Sequence, residues 1–128
     1  MLNVFLVDDH AFLRESLREL LNWERDIFVC GEAGSAAEAL QNVDASNADV
    51  VLLDASLPDS NGIDLIPTLM SLAPDVHVAV LSGLSEPSHV ERALLLGARG
   101  YIVKGYSEEI PGAIRAIASG GYFVSDAV

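Results

Sequence analysis

A chain of 128 residues that is 51% hydrophobic can bury one core unaided, and its single cysteine, Cys30, excludes an internal disulfide. Seven basic residues against 19 acidic ones leave a net charge of −12, and the basic residues are scattered, which argues against nucleic-acid binding by this segment alone. No apolar run approaches the ~18 residues of a membrane span, and Asp8-Asp9 interrupts the first apolar stretch too early for a signal peptide, so a soluble cytoplasmic chain is expected.

Val4 to Val7 reads as a first strand, closed by Asp8-Asp9. Leu13, Leu17, Leu20 and Leu21 then recur at i, i+4, i+7 and i+8, with Arg14, Glu15, Arg18 and Glu19 between them, the pattern of an amphipathic helix. Ile27 to Cys30 reads as a second strand, with Cys30 as a small buried hydrophobe and Gly31 to Gly34 leading out. Ser35-Ala36-Ala37-Glu38 has the form of a capping box and starts a short helix through Leu40. Val50 to Leu53 is a continuous apolar run, as a strand covered on both faces requires, and it ends at Asp54.

Pro58 to Gly62 reads as a turn and Ile63 to Leu72 as a third helix, in which Pro67 predicts a late start or a kink. Val76 to Leu81 is a fourth strand, ended by Ser82-Gly83. Ser85 is placed to cap a fourth helix with Pro87 in its first turn, and Gly97 stops it. Tyr101 to Val103 is a fifth strand ended by Lys104. Ser107 is placed to cap a last helix that runs through Ala118 and stops at Gly120-Gly121. Five strands alternating with five helices predict a single α/β domain: a doubly wound, five-stranded parallel sheet with helices on both faces.

In such sheets ligands bind beyond the carboxyl ends of the strands. That edge should collect Asp8 and Asp9 from the first strand, Asp54 from the third, Ser82 from the fourth and Lys104 from the fifth. Carboxylates about 4 Å apart repel by roughly 4 kcal/mol per pair at an effective dielectric near 20. The cluster therefore either retains a proton or takes a hard cation with oxygen ligands, for which Mg²⁺ is the expected ion. A carboxylate beside Mg²⁺ can attack phosphorus, with Lys104 as a further positive charge and Ser82 as a hydroxyl donor. Singly, each residue has an ordinary reading as a solvated turn, a helix cap or a surface charge. Their joint placement at equivalent strand ends is what points to a site. His10 is read as a helix-start residue, since Mg²⁺ prefers oxygen, and His77 and His89 receive no catalytic role.

Val7-Asp8-Asp9-His10, Leu53-Asp54 with Leu57-Pro58, Gly62, Gly97-Ala98-Arg99-Gly100-Tyr101, Val103-Lys104-Gly105 and Ala116 to Tyr122 together resemble the receiver domains of two-component response regulators. The likeness runs the length of the chain and is strongest to the NarL/FixJ-type subfamily. It implies the (βα)5 flavodoxin-like receiver fold and phosphorylation of Asp54 by a sensor histidine kinase. It also implies Mg²⁺ held by Asp9, Asp54 and the backbone carbonyl of Ser56, with Asp8 acting through water. Lys104 would pair with a phosphoryl oxygen, Ser82 would swing toward the phosphoryl group, and Tyr101 would turn inward to fill the vacated space. The fourth helix, fifth strand and fifth helix would form the switching surface. Leu57, Gly83 and Gly105 depart from the residues common at their positions, which bears on phosphate lifetime and loop stiffness.

Two enzyme or carrier readings share the fold but need a different motif after the first strand, where this chain has Asp8-Asp9-His10. An aspartate-nucleophile phosphatase of the haloacid dehalogenase type needs Asp-x-Asp after the first strand, and a flavodoxin-like FMN carrier needs a Ser/Thr/Gly-rich loop there. A third reading, a stand-alone receiver acting by protein contact or as a phosphate sink, stays open beside a LuxR-type DNA-binding output. Residues 1–121 are expected to form the receiver and 122–128 the start of an exit linker toward an output domain outside these residues. Leu95 points away from the stripe of Val90, Ala93, Leu94 and Gly97, and reads either as an ordinary exposed leucine or as a contact for a second receiver, in a phosphorylation-dependent homodimer, or for an output domain.

Overall fold

The protein is described by a computed structural model covering residues 1–83 and 86–128. In chain order the elements are β1 Leu2–Val7, α1 Ala11–Asn22, β2 Ile27–Ala33, α2 Ala36–Ser46, β3 Val50–Asp54, α3 Gly62–Leu72, β4 His77–Ser82, α4 Pro87–Leu95, β5 Gly100–Val103, α5 Ile110–Ala118 and β6 Phe123–Val124. All neighbouring strands pair in parallel in the order β2-β1-β3-β4-β5-β6.

Side chains alternate across a strand, and here the two alternating sets serve two separate cores. Phe5, Val7, Val51, Leu53, Val78, Val80 and Tyr101 face α2, α3 and α4, where Val43, Ile66, Leu69 and Ala93 meet them. Val4, Leu6, Val50, Leu52, Ala79, Leu81 and Ile102 face α1 and α5, against Leu17, Leu21, Ile110, Ile114 and Ile117. Each central strand must therefore be apolar at every position. That double requirement is why Val50 to Leu53 has no polar residue.

The sheet order places β1 between β2 and β3, so the connections that leave β1 and β3 run in opposite directions, one toward β2 and the other toward β4. A crevice opens at that reversal, with Val7 in register with Leu53 and the residues just beyond them side by side. Asp8 and Asp54 are brought together there.

Several expectations are corrected. The sheet has a sixth strand, because Phe123 and Val124 pair with Gly100 and Tyr101 on the free edge of β5. β2 continues through Gly31 to Ala33, and α2 continues past Leu40 to Ser46. Ala36, Ala39 and Val43 carry the buried stripe of α2, and Asn47, at φ 55°, supplies the left-handed stop. The Ser35 side chain accepts from the Glu38 N–H at 3.2 Å, as the capping box requires.

The third helix does not start late. Asn61 caps it by accepting from the Ile63 N–H at 3.0 Å, and Pro67 lies within it on an exposed position. Ser107 opens a single 3₁₀ turn, Ser107–Glu109, without capping α5 through its side chain. Ser85, the expected cap of α4, lies outside the described residues; the helix opens on Pro87, and Gly97 beyond its end has φ 115°. Cys30 is half-buried, with Sγ 3.5 Å from the Val4 carbonyl oxygen. Among the described residues no helix is long and apolar enough to cross a membrane.

Candidate functional site

β3 ends on Asp54, and a turn returns at once to start α3. That return is tight: a Cβ on Gly62 would lie 2.0 Å from the Asp54 carbonyl oxygen, so only glycine fits beside the strand end. The Gly62 N–H donates to the Ala55 carbonyl at 2.8 Å, and the Ala55 N–H donates to Leu81 of β4 at 3.0 Å. Asp54 is thereby set on a rigid strand end rather than a mobile loop.

Its carboxylate is 1% exposed. The Ser56 N–H donates to Oδ1 at 2.9 Å, and Lys104 Nζ, from the end of β5, stands 3.2 Å from Oδ1 and 3.3 Å from Oδ2. Burial pushes the Asp54 carboxyl above its ordinary pKa, and the charge of Asp8 pushes the same way. The Ser56 N–H and Lys104 oppose this without cancelling it.

Asp8 is 2% exposed. Its Oδ1 accepts the His10 N–H at 2.8 Å, whereas Oδ2 is buried with no hydrogen-bond partner among the described residues. Asp9 is more open, and His10 Nδ1 lies 3.1 Å from its Oδ1 and 3.3 Å from Asp8 Oδ1. One ligand atom from each of Asp8, Asp9, His10 and Asp54 falls within 4.8 Å of the others. A buried anionic oxygen without a donor, beside two further carboxylates, is a donor set suited to a hard divalent cation. His10 occupies the helix-start position, although its side chain makes no capping bond.

Ser82 is buried at the last position of β4, opposite Val103, and its carbonyl accepts the Lys104 N–H at 2.7 Å. Tyr101 is wholly inside, in register with Val80, two residues behind Val103 on β5. The five strand-end residues named from sequence thus share one edge, with Tyr101 beneath it. Leu95 is set apart on the outer side of α4, 86% exposed, beside Glu91 and Leu94.

Two features were not anticipated. Arg14 Nη1 donates to the Asp8 carbonyl at 2.6 Å, although its place between α1 leucines marks it only as a polar-face residue. Ser125 accepts the Val103 N–H at 3.0 Å and donates to Glu109 at 2.6 Å, joining the chain's last residues to β5 and the start of α5. No sequence periodicity signals either contact.

The sequence matches the family described as response regulator receiver domain over residues 4–115. It is 41% identical over 121 residues to the DNA-binding transcriptional activator DevR/DosR of Mycobacterium tuberculosis, covering 94% of this chain and 56% of that protein. It is 36% identical over 126 residues to the transcriptional regulatory protein UhpA of Salmonella typhimurium, covering 98% and 63%. The chain therefore spans little more than half the length of the curated relatives it matches. A LuxR-family two-component response regulator from Aurantimonas superposes with a TM-score of 0.91 at 28% identity, over 97% of this chain and 89% of that one. The isolated REC domain of RcsB from Salmonella enterica, with the phosphomimetic BeF3−, superposes with a TM-score of 0.90 at 27% identity, over 99% and 95%. The matched span contains every strand end of the cluster, and the chain belongs to the response regulator receiver family as a receiver domain of two-component signalling.

Proposed function

We propose that this receiver accepts a phosphoryl group on Asp54 from the phosphohistidine of a sensor histidine kinase. The observation that carries the reading is the Asp54 carboxylate itself: buried, touched by Lys104 and the Ser56 N–H, and flanked by two more aspartates. An Asp54 oxygen forms the new P–O bond as the P–N bond breaks, and the kinase imidazole leaves with the electron pair. Asp9, Asp54 and the Ser56 backbone carbonyl would hold Mg²⁺, with Asp8 acting through water. When bound, the ion neutralises charge on the transferring oxygens.

Lys104 then follows a phosphoryl oxygen, and Ser82 offers it a hydroxyl. Because Tyr101 is fully buried beside Val80, the coupled movement is a repacking between the Ser82 side chain and that ring. Such a shift biases the surface of α4, β5 and α5 only through contacts that differ between the two states. The domain catalyses its own phosphorylation and dephosphorylation without acting as a turnover enzyme. Its output is transcriptional control through a LuxR-type DNA-binding module, reached through residues 122–128, of which Phe123–Val124 also pair with β5 at the edge of the receiver sheet. That reading is supported by relatives named as transcriptional regulators and by the RcsB response regulator, which has been captured with DNA. Leu95 serves as an apolar contact in a phosphorylation-dependent homodimer, since burying a leucine contributes about 1.5–3 kcal/mol.

With Mg²⁺ and acetyl phosphate, the wild-type chain should gain one phosphoryl group that hydroxylamine removes, and chelation should prevent the gain. Full labelling of Asp54→Asn would overturn the assignment. Ser82→Ala should still accept phosphate but lose the NMR shift changes across α5. Leu95→Glu should be phosphorylated normally and sediment as a weaker dimer than wild type.

A further inference from the structure

Arg14 lies one turn into α1, yet its guanidinium reaches back to the acidic pair instead of out to water. Nη1 donates to the Asp8 carbonyl oxygen at 2.6 Å, and Nε donates to Glu32 Oε1 on β2 at 3.2 Å. The other Glu32 oxygen takes Arg18 Nη1 at 3.0 Å. The Arg14 and Glu32 side chains are each 24% exposed, so the pair is largely shielded from water. From the other side, the Asp8 N–H donates to the Ala33 carbonyl of β2 at 3.0 Å. The Asp8 backbone is thus gripped at both its polar groups.

A trans peptide is planar, and the Asp8 carbonyl lies in one plane with the Cα atoms of Asp8 and Asp9. Holding that carbonyl fixes the origin from which both side chains depart. A guanidinium holds two acceptors at a set angle, which a lysine ammonium cannot do. Charge has the opposite consequence from geometry here, because a cation beside a metal site weakens metal binding, and Glu32 offsets that charge locally.

We propose that Arg14, anchored by Glu32, is a positioning residue for the divalent cation: it sets the Asp8–Asp9 peptide so that both carboxylates meet the ion. The inference rests on the Mg²⁺ reading above. It predicts that removing a positive charge weakens cation binding, a sign that electrostatics alone reverses.

The test is calorimetric titration of Mg²⁺ into the unphosphorylated chain, beside the acetyl phosphate labelling rate at graded Mg²⁺. Arg14→Met, which keeps the apolar stem, and Arg14→Lys, which keeps the charge, should both bind Mg²⁺ about tenfold more weakly. Their labelling should need correspondingly more Mg²⁺ to reach half of its own maximal rate. If Arg14→Met does not fold, Arg14→Lys and Glu32→Ala carry the same prediction. Wild-type protein that neither binds Mg²⁺ nor labels at Asp54 would overturn the functional reading. Wild type that does both, with variants binding Mg²⁺ as tightly or more tightly, would overturn the role of Arg14.

Discussion

At the amino-terminal end of the sheet, Arg115 Nη2 stands 2.6 Å from Glu24 Oε1 and 2.8 Å from Asp26 Oδ1, with Nε 2.9 Å from Asp26 Oδ2. Nearby, Asp49 Oδ2 takes the Asn3 N–H at 2.8 Å, and the Asp49 backbone pairs with Asn3 and His77. At the carboxyl end, Asp54 meets Lys104, Asp8 and Asp9 meet His10, and a buried Asp8 oxygen has no partner among the described residues. The Arg115 guanidinium holds Asp26 below its ordinary pKa, whereas burial pushes Asp54 above it. One end ties the α1–β2 connection to α5. The other leaves a buried carboxylate oxygen without a donor among the described residues, as the proposed cation site would require.

The harshest way to break this contrast is to disturb the strand end that carries Asp54. Gly62→Ala puts a Cβ 2.0 Å from the Asp54 carbonyl oxygen, a backbone contact that no rotamer change relieves. It should cost about 3 kcal/mol in urea denaturation and slow Asp54 labelling, because the strand and turn must part. Wild-type stability would show that the turn yields freely.

Ser125→Ala tests whether the carboxyl end is short of partners throughout or only at the acidic cluster. Ser125 is buried, and its loss strands the Val103 N–H and removes the donor to Glu109. A cost of about 2 kcal/mol in the same assay would show that satisfied bonds resume a few residues from the aspartates. A loss of a few tenths would mean that water replaces the hydroxyl.

What the chain discloses before folding follows from the range of each interaction. Strand ends and helix caps are local, so Asp8, Asp54 and Lys104 were legible at equivalent positions, as was the Ser35 cap. The length of α2 depended on Val43 continuing a sparse stripe and on Asn47 adopting a left-handed backbone, signals weaker than the polar residues between them. Phe123-Val124 is too short to show any period, and becomes a strand only because β5 offers a free edge. Arg14 looks like any polar-face arginine until β2 brings Glu32 beside it. The burial of Tyr101 was legible, since an aromatic in a central strand reads as a core residue, whereas its part in switching rests on the family resemblance alone.

Asp8→Asn sharpens the comparison with a smaller effect of opposite sign. Neutralising a buried carboxylate that faces Asp54 relieves repulsion while nearly preserving shape. Without metal, the variant should be more stable by about 1 kcal/mol, a rise of roughly 4 °C in the thermal midpoint. Its Mg²⁺ affinity should fall in the same experiment. A destabilised variant would mean that the aspartate is held by partners as strongly as those at the opposite end.

The mildest effect belongs to that opposite end. The Arg115 guanidinium holds the Asp26 carboxyl at about 2, against the usual 3.8. A carboxylate with a depressed pKa in the folded chain contributes stability at pH above its unfolded value, and that contribution fades as pH falls from about 4 toward 2. NMR titration of the Asp26 side chain should show the low midpoint, and Arg115→Ala should return it toward the usual value. Because the pair is open to solvent, molar salt should move the wild-type midpoint upward as well. Salt should leave the arrangement around the buried Asp54 far less changed, since ions screen exposed pairs much more than buried ones. An Asp26 midpoint near 3.8 in dilute buffer would remove the contrast between the ends, leaving Arg115 a packing contact that does no electrostatic work for the fold.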